Sequence, residues 1–421
     1  MKSFEAYVAE GSIKEAMDKS QVNSHMTHLE DLVFYGGVDG CRQAINALRS
    51  LRDMLAGEST ESHNVTAKFD GAPAIFCGED PQTGEFFIAK KGIFNKTPKV
   101  YKSLEEIRAD TSGDLARKLS IAFTELRNVG IKGILQGDLL FTHDDLKVVK
   151  IEGKKYVTFH PNTLVYAVPY PSIEADEVLG AKLGVVFHTS YTGKSFDRLK
   201  AHFGVDISHL KKTKAAWIQS ASLKDLSGTA TLPASESEHL YYLLSKAGSI
   251  FRDIASSTLS HLEASPELAR MLETFENSYV RRGEKVADSP VHVRALIDWI
   301  HDKYAREADK RKTEKGKASV DAEKQAILSF FSPTNTSNLV KMFDLRFTIV
   351  EAKEVIIKQL DKLNKLSTFV KTTNGYRVTG SEGFVAIDRL EGGAVKLVNR
   401  LEFSHLNFSP EIIRGWDKTA K

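Results

Sequence analysis

Strand-like texture occurs in two blocks of this chain, and a long helical stretch separates them. From about residue 64 to 192, β-branched and aromatic runs alternate with turns: "NVTAKF", "APAIFCG", "EFFIAKKG", "GILQGDLLF", "LKVVKIEGKKYVTF", "TLVYAVPY" and "KLGVVFHTSY". One helical run, "SGDLARKLSIAFTELRNVG", interrupts them, with a serine at its start and a glycine at its close. Strands return from about 374 as "GYRVTG", "EGFVAIDRL" and "GAVKLVNRLEF". Between the blocks, runs such as "SPVHVRALIDWIHDKYAREADK" place apolar residues three and four apart, as do residues before 60. The pattern predicts an α+β fold. Its expected parts are a helical segment over 1–60, a strand-rich core over 61–194, a helical insertion over 195–373, and the rest of the core over 374–421.

The chain has 421 residues, ample for a large core, and a net charge of only +3. That balance excludes a uniformly basic nucleic-acid coat, so an acidic ligand must be met by local patches. Cys41 and Cys77 lack metal-ligand spacing and cannot form a disulfide framework, which suits a reducing compartment. The stretch "MKSFEAYVAEGS" has no apolar core of a secretory signal, and no run reaches the length of a membrane span. A soluble, cytoplasmic protein is expected.

Lys68 stands at the end of "NVTAKF", two residues before Asp70-Gly71. A lysine becomes a nucleophile only if its pKa falls by about three units, or about 4 kcal/mol. Burial and neighbouring cations both act in that direction. Alone, Lys-x-Asp-Gly also describes a strand-end lysine beside a tight turn. Other chemistry-bearing stretches follow in order. "AKKGIF" carries Lys90, "LQGDLLF" carries Asp138, and "LGVVFHTSY" carries Phe187. "SEGFVAID" has Glu382 at the head of a strand, and "GAVKLVNR" has Lys396 within one.

Taken together these stretches resemble the covalent nucleotidyltransferase superfamily, which comprises ATP-dependent polynucleotide ligases and mRNA capping enzymes. The resemblance implies an ATP-grasp-like ligase core of antiparallel sheets with flanking helices. "KFDG" matches the family's nucleophile motif, so Lys68 would attack the α-phosphate of the nucleotide. Asp70 and Gly71 complete that motif. By the same resemblance Lys90 would contact the ribose or phosphate, and Phe187 would stack on the purine. Asp138 and Glu382 would bind Mg²⁺, and Lys396 would touch the α-phosphate. The family usually has arginine where Lys90 stands and glutamate where Asp138 stands. Its last motif has a second lysine where this chain has Val398, and Arg400, two residues further on, would supply that cation if the strand continues.

"EGFV" is closest to the RNA ligases. Only about twenty residues follow Arg400, too few for the five-stranded barrel of DNA ligases and capping enzymes. The resemblance therefore implies ATP and Mg²⁺ as cofactors and a nucleic-acid partner, RNA rather than DNA, in a phage-type RNA ligase. DNA ligase, guanylyltransferase and a non-catalytic nucleic-acid-binding or structural phage protein remain the alternatives.

Other stretches read as ordinary structure. "YTGKSF" lacks a P-loop's first glycine, since His188 stands in that place. "THDD" and "FHPN" read as turns, and the basic helices between Arg281 and Lys317 as a solvated face that could also grip a phosphate backbone.

Overall fold

The computed structural model describes residues 26–56, 64–223, 232–286, 288–364, 366–387 and 394–417. Its strands in chain order are β1 Asn64–Lys68, β2 Ala74–Glu79, β3 Phe86–Ala89, β4 Val100–Tyr101, β5 Ile134–Thr142, β6 Lys147–Ile151, β7 Lys154–Phe159, β8 Leu164–Pro169 and β9 Leu183–Thr192. They continue with β10 Lys200–Phe203, β11 Ala216–Ser220, β12 Ser367–Thr372, β13 Gly375–Val378, β14 Gly383–Ile387, β15 Ala394–Leu397 and β16 Ile412–Ile413. Three sheets result, and their strands pair antiparallel except for β11 against β9.

The largest sheet has the order β10-β9-β5-β2-β3-β4, with β11 on β9. Alternation gives it two apolar faces. Ile75, Cys77, Leu135 and Val185 pack beneath the helix Gly113–Leu126 through Leu119, Phe123 and Leu126. Phe76, Phe87, Ala89 and Tyr191 point the other way. A second sheet, β13-β12-β8-β7-β6 with β16 on β12, packs its own core around Phe159, Tyr166 and Val370. The smallest sheet, β1-β14-β15, joins the first strand of the sequence to two from its far end.

The helices outside the strand blocks form one body. Gly37–Leu55 shares a core with Ala234–Arg252, Ser256–Glu263, Pro266–Arg282 and Pro333–Asp361. The described part of the expected 1–60 segment is therefore not separate from the insertion. Two boundaries also move. The helical run begins at Ala234 rather than 195, because β10 and β11 extend the large sheet along β9. It ends at Asp361 rather than 373, because β12 pairs with β8. All three misplaced strands sit next to lysine-rich or helix-like sequence, which hides their alternation.

A buried charge network ties the helical body to the end of the last motif. Glu30 accepts from Lys353 Nζ at 2.7 Å, and Asp31 accepts from Arg346 Nη2 and from Arg400 Nη1, each at 3.1 Å. All five side chains are buried. Arg400 thus corrects an expectation: it opens a π-helical turn, Arg400–Ser404, and spends its charge on Asp31 and Asn277 rather than continuing the strand of Lys396. Among the described residues, no helix is long and apolar enough to cross a membrane.

Candidate active site around Lys68

Register makes the small sheet two-faced. Ala67, Phe384 and Leu397 lie opposite one another, as do Val65, Ala386 and Val395, and all six pack on the helical body. The intervening row is Thr66, Val385 and Lys396, and Lys68 follows opposite Gly383. The period of two therefore brings Lys68 and Lys396 to one face, although 328 positions of sequence divide them (396 minus 68). Gly383 has φ +134°, and a Cβ there would stand 2.4 Å from the Leu397 carbonyl oxygen. Only glycine lets β15 approach β14 at this point, which explains the glycine of "EGFV".

That face opens on a cleft of about 480 Å³, bordered by Lys68, Asp138, Glu382, Lys396, Lys91 and His188 among others. The volume is in the range of small-ligand sites. Lys68 is half-buried and its Nζ donates to Glu382 Oε1. Burial lowers its pKa to about 8; the Asp138 charge opposes this, Lys396 adds to it, and Asp70 opposes it. Asp138 is pushed up to about 7 by burial, against the pull of Lys68. His188 Nε2 lies 3.7 Å from Asp138 Oδ2, and burial, helped by the Lys68 charge, lowers that imidazole to about 4. Lys396 is lowered too, by burial and by the charge of Arg400. The cleft thus holds lysines and carboxylates whose charges burial has brought closer to neutrality, a common property of reactive sites.

Asp70 has a different task from a ligand contact. Its carboxylate accepts from Asn162 Nδ2 at 2.7 Å, Thr163 N at 2.7 Å and Leu164 N at 2.9 Å. Its own backbone N–H donates to the Tyr166 hydroxyl at 2.6 Å. These bonds pin the turn after Lys68 to the entry of β8. Gly71 continues the turn against β5, where a Cβ would stand 2.4 Å from Asp138 Cβ. The two motif residues therefore set the spacing between Lys68 and Asp138.

Two expected site residues are placed elsewhere. Lys90 follows the end of β3 in extended conformation and does not border the cleft; it lies near Asp110, which hydrogen bonds from Lys99 and Tyr101, then the charges of Lys99 and Lys90, hold below the usual carboxylate range. The next residue, Lys91, starts a short 3-10 turn and borders the cleft. Phe187 is fully buried in the core beneath the helix Gly113–Leu126. The cause is a β-bulge in β9. Gln136 pairs with Thr189 but Gly137 pairs with Phe187, so His188 is the extra residue and the strand changes parity there. Beyond the bulge Tyr191 faces the cleft and donates to Gln136 Oε1 at 2.6 Å, while Phe94 and Phe203 border it half-buried. His188, Lys91 and Tyr191 are the cleft residues that sequence reading missed. Two adjacent lysines and an invisible bulge left no signal for choosing among them.

The remaining candidate stretches are structural. In "THDD", Asp145 caps Thr142 and Asp144 accepts from Arg117 at 3.1 Å. From "FHPN", Asn162 rather than His160 reaches the cleft.

Among the described residues, no group of three or more His, Cys, Asp and Glu side chains converges as a complete metal cage. One observation bears on a metal with fewer protein ligands. Glu382 is buried, and among the described residues its Oε2 has no hydrogen-bond partner. A buried carboxylate oxygen left unpaired is costly unless a cation or donor takes it.

The family model for a family of unknown function (DUF6267) matches residues 23–411, and the chain belongs to that family. No curated protein and no solved structure matches it.

Proposed function

We propose that this member of the family is a covalent nucleotidyltransferase, with Lys68 as the nucleophile and ATP-dependent joining of RNA as the overall reaction. The observation that carries the reading is the meeting of Lys68, Asp138, Glu382 and Lys396 in one cleft, from three separate parts of the sequence. Burial lowers the pKa of Lys68, which raises the share of neutral amine once the lysine has left Glu382.

In the proposed reaction, Lys68 leaves Glu382 and sheds its first proton to solvent. The amine lone pair forms an N–P bond to the α-phosphate, the bond from phosphorus to the bridging oxygen breaks, and pyrophosphate departs. The second amine proton goes to solvent, leaving a neutral phosphoramidate nitrogen. Lys396 and Lys91 sit where they would offset phosphate charge. Asp70 and Gly71 hold the lysine in line. A 5′-phosphate end would then take the AMP from Lys68, and a 3′-hydroxyl would displace it.

The residues fit Mg²⁺, which prefers oxygen donors and needs only one or two carboxylates when phosphates complete its shell. Glu382, through its unpaired oxygen, and Asp138 would hold it, and it would neutralise charge on the triphosphate. Both cysteines are buried free thiols, which suits the reducing cytoplasm this reading assumes.

The test is incubation with Mg²⁺ and ATP or GTP labelled at the α-phosphate, followed by a denaturing gel. Label from ATP that is lost in Lys68→Ala supports the reading. Label from GTP alone moves it to capping. No label from either, in a folded protein, refutes it in favour of a binding or structural role.

A further inference from the structure

The residues after the π-helical turn fold back over the turn that holds Asp70. Thr163 Oγ1 donates to Asn407 Oδ1 at 2.8 Å, and Gly415 N donates to the Asn162 carbonyl at 2.7 Å. Arg414 Nη2 closes the segment on itself by donating to the Asn407 carbonyl at 2.6 Å. The segment is thus anchored on Asn162, which borders the Lys68 cleft and donates to Asp70.

This anchored segment exposes two large aromatic side chains. Phe408 is 53% and Trp416 59% exposed. The Arg281 guanidinium lies 5.1 Å from the centre of the Phe408 ring, and it comes from the end of the helix Pro266–Arg282. Next to it Arg282 lies 4.6 Å from the Tyr279 ring. Arg282 is paired with Glu284 at 2.8 Å, whereas Arg281 has no ion pair among the described residues. Asp417, the acid nearest Trp416 in sequence, accepts from Arg414 N at 2.7 Å. An exposed ring beside an arginine, with a second exposed ring on the same hydrogen-bonded segment, is poorly explained by folding alone. The two rings and the arginine have the chemistry that stacks unpaired bases and neutralises the phosphates between them.

We propose that Phe408, Trp416 and Arg281 form a platform for single-stranded nucleic acid, leading the strand's end towards the Lys68 cleft by way of Asn162. Duplex bases are already stacked and cannot lie on these rings, so the platform selects unpaired strands. The proposal names the acceptor side of the reading above and rests on it for the direction of the strand.

The test uses the full chain and a 5′-phosphorylated single-stranded RNA of about 20 nucleotides, long enough to cross such a platform. Titration should quench the fluorescence of Trp416, the most exposed of the described tryptophans, and Trp416→Phe should lose the quench while keeping most of the affinity. Trp416→Ala and Phe408→Ala should each raise Kd about tenfold, in line with the loss of one stacked base. Arg281→Ala should flatten the salt dependence of log K by about 0.7, the value for one phosphate contact on a single strand. Covalent labelling with ATP should stay at the wild-type level in all four variants. Unchanged RNA affinity in the folded Trp416→Ala/Phe408→Ala double variant overturns the proposal. So does equal affinity for duplex, or the absence of any RNA binding, which would leave the face to a protein partner. Labelling that fails while these binding effects hold would instead refute the enzymatic reading and leave the platform standing.

Discussion

Asp70→Ala removes three hydrogen bonds at once, those from Asn162 Nδ2, Thr163 N and Leu164 N. Two of the donors are backbone N–H groups bonded to a buried carboxylate, and leaving each unpaired costs about 1–3 kcal/mol. Removing the carboxylate also relieves its burial, which pushes the Asp70 pKa up, so part of the loss is offset. A net loss of about 2–4 kcal/mol follows. With an unfolding entropy of about 2.1 cal/mol/K per residue over 421 residues, that corresponds to a fall in melting temperature of about 2–5 °C. Asp70→Asn keeps one acceptor oxygen for Thr163 N and Leu164 N, and the Asn162 amide can flip to accept from the new NH₂. It should lose less than half as much stability. Scanning calorimetry measures the first effect, and covalent labelling measures the second. The alanine variant should label at least about tenfold more slowly, because the turn that orients Lys68 is no longer pinned, and asparagine should restore most of the rate. An alanine variant that melts within a degree of wild type would refute the reasoning. So would an asparagine variant that labels as poorly as alanine, since the negative charge itself would then be what matters.

Three further outcomes are expected. Labelling should rise about tenfold per pH unit up to pH about 8 and then level off, because only the neutral amine of Lys68 attacks; removing the Lys396 cation with Lys396→Met should move that break upward, as a pH–rate profile would show. Lys91→Ala should weaken ATP use by about tenfold or more in kcat/KM while Lys90→Ala leaves it unchanged, a comparison that separates the lysine bordering the cleft from its neighbour. Arg400→Met should cost about 3–5 kcal/mol in denaturant unfolding, because three buried carboxylates, Glu30, Asp31 and Glu276, are then left with two buried cations, Lys353 and Arg346, which already serve all three.

The strands and helices were legible where apolar spacing is regular. β1, β5, β9 and β14 lie where alternation puts them, and the α+β class follows from the two strand blocks. Lys68, Asp138, Glu382 and Lys396 were grouped by the resemblance of their motifs alone, since the register that brings strands from both ends of the sequence together is not written in alternation. What failed were the features set by single-residue irregularities. The extra residue His188 reverses the facing of β9, so Phe187 enters the core and Tyr191 the cleft. The change from β3 to a 3-10 turn decides between Lys90 and Lys91, and nothing in "AKKG" marks it. Arg400 reads as a strand cation, but its partners Glu30 and Asp31 lie near the other end of the sequence.

The central claim is that Lys68 carries the nucleotide. The direct measurement is mass-spectrometric mapping of the protein after incubation with Mg²⁺ and ATP, with alkaline handling to preserve a phosphoramidate. The account predicts AMP on the peptide containing Lys68 and on no other lysine, including Lys91 and Lys396. AMP on a different residue, or a Lys68 peptide that remains unmodified while the protein labels, would contradict it.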